Sequence, residues 1–259
     1  MPGNEKKTIK FILQNKRKIE LKYIGKIKTV KVPYKNNIIT ATSQNIEKFK
    51  SDDSSKKADI YLNDIGISLK QDGGSFAFNR IQRKFLPNFL SKILNFDNAE
   101  EIIKKIDVQI QSFHKKNDDE ISSFSPLEVM KREQFNILLK YLMLEGSPKE
   151  KSKFPAKYIL NSKKRISLPG DLKIFSFEDY LNEFSLSHVL RMRRSWYGQE
   201  SESEHKRAKG LLKTVDNKPW CFDNVSGLPN AHLKTNKRWR DDVPEAERKT
   251  CYYLMIEKK

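Results

Sequence analysis

The stretch Lys57-Ala58-Asp59-Ile60-Tyr61-Leu62-Asn63-Asp64-Ile65-Gly66-Ile67-Ser68-Leu69-Lys70 constrains the fold of this chain most. It reads as two short strands joined at Asn63-Asp64, residue types that tolerate the left-handed backbone of a two-residue hairpin loop. With that turn, Leu62 faces Ile65, Ile60 faces Ile67 and Asp59 faces Ser68. Side chains alternate along a strand, and directly opposed residues share a face. Ile60, Leu62, Ile65, Ile67 and Leu69 therefore make an apolar face, and Asp59, Ser68 and Lys70 lie on the other. A slip of one residue would mix the two sets, so the apolar pattern itself selects this register.

An aspartate beside a lysine on paired strands suits metal-assisted phosphodiester cleavage. A carboxylate holds a hard divalent cation through oxygen, with water completing the shell. Such a cation lowers the pKa of an attacking water and offsets phosphate charge, while the ammonium orients or activates the nucleophile. A surface hairpin with solvated charges is the plain alternative for a single Asp/Lys pair.

These residues resemble the PD-(D/E)XK nuclease superfamily, and within it type II restriction endonucleases and mismatch-repair nicking endonucleases. The motif, an aspartate on one strand and an acid-x-Lys on the next, stands here as Asp59 and Ser68-Leu69-Lys70. The likeness runs from about Ser54 to Arg83. It implies an α/β (α+β) fold with a central mixed β-sheet flanked by helices, restriction-endonuclease-like, and Mg²⁺ as cofactor. It also implies Asp59 as metal ligand, Lys70 as catalytic lysine and the Leu69 carbonyl as a backbone metal ligand. Ser68 departs from the pattern, since a hydroxyl is a poorer ligand for a hard cation than a carboxylate. The missing acid must then come from elsewhere: Glu47, matching the family's upstream glutamate, is the expected donor, with Asp72 and Gln82 behind it. Without such an acid the chain would be a fold of this type that has lost catalysis.

The charge balance points the same way. The chain has 51 Lys+Arg against 33 Asp+Glu, a net charge of +18 on 259 residues. A protein this basic attracts polyanions, and more charge is present than solubility needs. Double-stranded DNA is the expected partner, although a Lys-rich proteome makes many basic proteins. No stretch approaches the length of a transmembrane helix and the N-terminus lacks the apolar run of a signal peptide, so a cytoplasmic location is expected. Cys221 and Cys251 are too few for a disulfide framework. Four histidines and no CxxC pair leave little for a structural zinc site. A His-metal nuclease is equally disfavoured, with His188, His205 and His232 scattered.

Residues 1–259 read as a single nuclease domain with a catalytic hairpin at 57–71, a helical section at about 98–146 and a basic recognition section at about 187–245. Residues 8–40 hold apolar-alternating pieces such as Ile19–Tyr23 and Val30–Tyr34, read as strands, followed by a short helix near Asn45–Phe49. After Lys70, a Gly73-Gly74 turn leads to Phe78, Ile81, Phe85, Phe89 and Ile93 at helical spacing, with Pro87 breaking or restarting that helix. This section supplies Arg80, Arg83 and Lys84 as DNA contacts. Helices are expected from Asn98, from Ser125-Pro126-Leu127-Glu128 to Gly146, and from Ser176. Thr250–Ile256 reads as a closing strand.

The last third differs in chemistry. Arg191, Arg193 and Arg194 accompany Trp196 and Tyr197, and Asn230, His232, Lys234, Asn236, Lys237 and Arg238 follow in one short stretch. Arg and Lys bond guanine N7/O6, Asn pairs with adenine N6/N7, and all hold phosphates. A loop rich in these residues suits groove recognition; a solvated basic surface around Trp220 and Trp239 is the alternative. The expected activity is Mg²⁺-dependent cleavage of double-stranded DNA at a short specific site by a homodimer, giving 5′-phosphate ends. A cognate DNA methyltransferase is implied by the resemblance alone. The alternative, of another class, is a DNA-binding protein with a degenerate nuclease fold.

Overall fold

In the computed structural model the described residues are 3–48, 56–71, 81–82, 85–115, 121–184, 188–196 and 250–258. In chain order the helices and strands are α1 (Gly3–Asn15), β1 (Glu20–Leu21), β2 (Gly25–Lys26), β3 (Val30–Tyr34), β4 (Asn37–Thr40), β5 (Ile60–Leu62), β6 (Ile65–Gln71), β7 (Ile81–Gln82) and α2 (Leu86–Asn88). Then come α3 (Ala99–Lys115), β8 (Ile121–Phe124), α4 (Arg132–Lys140), β9 (Tyr158–Ser162), β10 (Leu172–Phe175), α5 (Phe177–Phe184), β11 (His188–Trp196) and β12 (Thr250–Lys258). The chain divides into two compact units: Met1–Phe78 with Glu133–His188 and Glu257–Lys259, and Asn79–Arg132 with Val189–Ile256.

The first unit is built on a six-stranded sheet of order β10-β9-β6-β5-β3-β4. Its pairs are antiparallel except β6 and β9, so the sheet is mixed, as the sequence predicted. The hairpin register is the expected one: Ile60 faces Ile67 and Leu62 faces Ile65. Asn63 and Asp64 both take positive φ, 50° and 66°, which is what a two-residue turn of the primed type requires. Asn63 does more than turn the chain. Its Oδ1 accepts from the N–H groups of Lys28 and Thr29, and its Nδ2 donates to the carbonyls of Ile24 and Lys26. Gly66, opposite Tyr61, leaves room for a neighbouring loop, because an added Cβ would overlap the Pro155 carbonyl oxygen.

One face of this sheet is closed by α1. Ile9 and Ile12, at helical spacing, join Val30, Val32, Ile60, Leu62, Ile67, Leu69 and Leu160 in a buried apolar cluster. At about 25 cal/mol per Å² of apolar surface, each fully buried isoleucine is worth about 1.5–3 kcal/mol. The helix over Gly3–Asn15 replaces the strand expected from about residue 8. Ile9, Phe11 and Leu13 alternate like a strand while Ile9 and Ile12 recur like a helix, and burial of the latter pair decides the outcome. On α5, Ser176 and Asp179 cap the helix reciprocally, Ser176 N–H to Asp179 Oδ2 and Asp179 N–H to Ser176 Oγ, both at 3.0 Å.

The second unit carries a four-stranded sheet of order β7-β12-β11-β8. Ile81 belongs to β7, paired with Leu254 of β12, and not to the helix its spacing suggested. That helix begins only at Leu86, with Pro87 in its first turn, where a missing N–H costs nothing. The Ser125 capping box forms, but it closes a single 3₁₀ turn over Pro126–Glu128; α4 starts afresh at Arg132, and from Glu133 on it belongs to the first unit, ending in a wider π-type turn over Tyr141–Glu145. The closing strand lies within β12. Among the described residues no helix is long and apolar enough to cross a membrane.

Candidate active site at the end of the hairpin

At Ile60 the regular part of β5 begins, and the chain before it bends away. Lys57 and Ala58 donate their N–H groups to the Phe154 carbonyl, at 3.1 and 2.8 Å. The ladder would leave the Leu69 N–H without a partner on that side. Asp59 takes it with its side chain: the Leu69 N–H donates to Oδ2 at 2.7 Å, while the Asp59 N–H donates to the Ile67 carbonyl at 2.9 Å. The N–H and C=O of one strand residue point to the same edge, so the Leu69 carbonyl also lies on the Asp59 side.

Asp59, Ser68 and Lys70 are thus brought together as expected. Ser68 is buried, 2% exposed, and its hydroxyl hydrogen-bonds the Asp59 carboxylate. Where the motif has an acid, this chain has a group that positions one. Burial pushes the Asp59 carboxyl above its ordinary range, opposed by the Lys70 charge, the Leu69 N–H, Lys57 and the Ser68 hydroxyl.

The second carboxylate comes from Glu5, on the first turn of α1, which the sequence reading missed. Its pKa is pushed up to about 7, first by burial and then by the charge of Asp59, with Lys70 pulling the other way. Glu5 therefore feels both members of the hairpin pair. Glu47, the expected donor, lies elsewhere: it is exposed, ion-paired with Lys10 and with Lys6 at 3.6 Å, and these hold its carboxyl below the usual range. Both acids belong to the α1 neighbourhood, and only the helical phase of α1 says which one faces Asp59.

Two further residues join the same face. Lys57, two positions before Asp59 and on its side of the alternation, is part-buried; burial and then the Lys70 charge push its ammonium down to about 8. Asn161 of β9, buried, stands opposite Lys70 in the parallel register. The carboxylates of Asp59 and Glu5, the Leu69 carbonyl and the Ser68 hydroxyl are all oxygen donors, the type hard divalent cations take. Burial raises both carboxyls, and the charge of Asp59 raises that of Glu5 further. Among the described residues no group of three or more His, Cys, Asp or Glu side chains is placed to hold a metal. His188 is buried against Tyr180, whose hydroxyl lies 2.8 Å from Nε2.

Arg191, Arg193 and Arg194 lie on β11, where Arg191 pairs with Ser123 and Arg193 with Ile121, so this stretch is strand and not loop. Arg80, Arg83, Lys84, Asn230, His232, Lys234, Asn236, Lys237 and Arg238 lie outside the described residues, as does Asp72. Gln82 is on β7. Comparison of the chain with protein-family models, with curated proteins and with solved structures finds no match to any of them.

Proposed function

We propose that this protein is a metal-dependent endonuclease acting on double-stranded DNA, with Mg²⁺ held by Asp59, Glu5 and the Leu69 carbonyl. The observation that carries the reading is the meeting of Asp59, Lys70 and Glu5 at the edge where β5 ends. The mixed sheet with helices around it agrees with the restriction-endonuclease-like fold that the motif resembles. The net charge of +18 suits a phosphate polymer as substrate.

When bound, the cation supplies charge neutralisation at the phosphate and a more acidic attacking water. The chain's own residues prepare for it. The Leu69 N–H and the Ser68 hydroxyl fix Asp59 in one orientation, and the Lys70 ammonium shares its face, placed to orient a nucleophile and offset charge developing on phosphorus oxygens. Cleavage at a short symmetric site by a homodimer, leaving 5′-phosphate ends, is the specific form we propose, as for type II restriction endonucleases. Ser68 in the acid's place favours a second reading, a DNA-binding protein that no longer cuts.

Plasmid incubated with the purified chain and Mg²⁺ separates the two. Discrete fragments, lost in Asp59→Asn and Lys70→Ala by about 10³-fold or more while DNA is still retarded, support the enzyme. Retarded but uncut DNA with the wild-type chain leaves only the binder.

A further inference from the structure

Beside the site, α1 and the β9–β10 turn enclose an open cleft of about 410 Å³. Its cationic lining is Lys7 and Lys10 from the helix with Lys163, Lys164 and Arg165 from the turn. Two of these five are matched by carboxylates, Lys10 by Glu47 and Lys163 by Asp171 at 2.7 Å. Lys7, Lys164 and Arg165 are exposed and have no ion pair among the described residues. A cluster of exposed like charges is unfavourable alone and is relieved by a polyanion.

The cleft adjoins the end of β6, one residue beyond Lys70, on the face that α1 covers. Gln71, which follows Lys70 on β6, lines it, as do Thr8 and Ser162. Thr8 Oγ1 lies 3.2 Å from Ser162 Oγ, and Ser162 Oγ donates to the Lys70 carbonyl at 3.3 Å. The cleft floor is thus tied by hydrogen bonds to the residue that carries the ammonium. Along α1, Glu5 to Gln14 spans about 13 Å at 1.5 Å per residue. That is roughly four base steps of duplex at about 3.4 Å each.

We infer that this cleft grips the phosphodiester backbone flanking the scissile bond, with Lys7, Lys164 and Arg165 contacting consecutive phosphates. The inference rests on the nuclease reading for the position of that bond, but the grip itself is a binding property and is tested without cleavage. Its contacts go to phosphates, so they set affinity and register and leave base selection to other residues.

The test measures binding of the full chain to a generic 30-base-pair duplex in EDTA, across salt. Three phosphate contacts carry a slope of about 2.7 in log K against log salt, so changing Lys7, Lys164 and Arg165 to Gln lowers the slope by about that much. Equivalently, the wild-type loss of affinity from 50 to 200 mM salt exceeds that of the triple variant by about 40-fold. A control with Lys26, Lys28 and Lys35 changed to Gln, three exposed cations of the same unit, should move the slope by less than about 1. Equal slope changes in the two triple variants, no change in the cleft variant, or no duplex binding by the wild type overturns the inference. A second readout needs no variant: bound duplex should shield Lys7 and Lys164 from acetylation while Lys26 and Lys28 react as before, and unshielded labelling sinks it. Duplex gripped in this pattern but never cut with Mg²⁺ leaves the cleft standing and removes the nuclease. Cutting that survives in the cleft variant with unchanged affinity does the reverse.

Discussion

Glu5→Gln tests the acid pair without requiring activity. Holding this carboxyl at about 7 instead of 4.5 corresponds to at most ~3.4 kcal/mol against the charged form. Glu5 is only part-buried, and screening where it faces solvent reduces the figure to about 1–2 kcal/mol. The sign follows from proton uptake. A carboxyl with a raised folded pKa gives stability that is complete below 4.5 and is lost as pH rises through about 7. Glutamine never ionises, so the variant keeps what the wild type loses. Its melting temperature relative to wild type should climb between pH 4.5 and 7 and then level off, by about 3–6 °C in all. The assay is differential scanning calorimetry from pH 4 to 8 in EDTA, repeated with Mg²⁺. At pH 8, Mg²⁺ should raise the melting temperature of the wild type and not that of the variant, because binding to the folded state alone stabilises it. A difference between the two proteins that ignores pH, or equal stabilisation of both by Mg²⁺, refutes the placement of Glu5 in the pair.

Glu47→Gln, by contrast, should leave plasmid cleavage within about twofold of wild type, since its exposed pairing with Lys10 and Lys6 is of the surface kind; a deep loss in a cleavage assay would return Glu47 to the site. Asn63→Ala removes a side chain that bonds four backbone groups and places a Cβ-bearing apolar residue at φ 50°, for a cost of about 2–3 kcal/mol in urea unfolding. Asn63→Gly keeps the turn geometry and should cost about 1 kcal/mol less; equal costs would show that backbone conformation contributes nothing there. Gly66→Ala forces the Pro155 carbonyl to move and should destabilise by about 1–3 kcal/mol in the same assay, with a neutral result ruling out the close approach.

What could be read before folding depended on how local each cause was. The hairpin was legible because its strands, turn and alternating faces lie within one short run, and no other register buries Ile60, Leu62, Ile67 and Leu69 together. The starts of α3 and α5 were legible for the same reason, since caps act on the next turn of chain. Glu5 was not, because its role depends on α1 being a helix, and α1 is decided by distant partners such as Leu160. Ile81 misled through spacing that fits a helix while its partner, Leu254, lies far along the chain. β9 gave little signal: Asn161 and Ser162 are polar yet buried, so Tyr158–Ser162 lacks the apolar run of an interior strand. The hydrogen bond of the Ser68 hydroxyl to Asp59 was not legible, because it depends on the bend of the chain before Ile60.

The side-by-side pairing of β6 and β9 has an architectural consequence. They are neighbours in space, yet Asn79–Arg132, a large part of the other unit, is strung between them in sequence. A parallel neighbour always needs a long return path, and lengthening that path is cheap: each doubling adds only about 0.6 kcal/mol of closure entropy. The ribbon bearing Asp59 and Lys70 is complete before the excursion starts, and β9 needs only to come back. Such wiring leaves the length of the intervening chain free to vary at little cost while the ribbon's own pairing stays local.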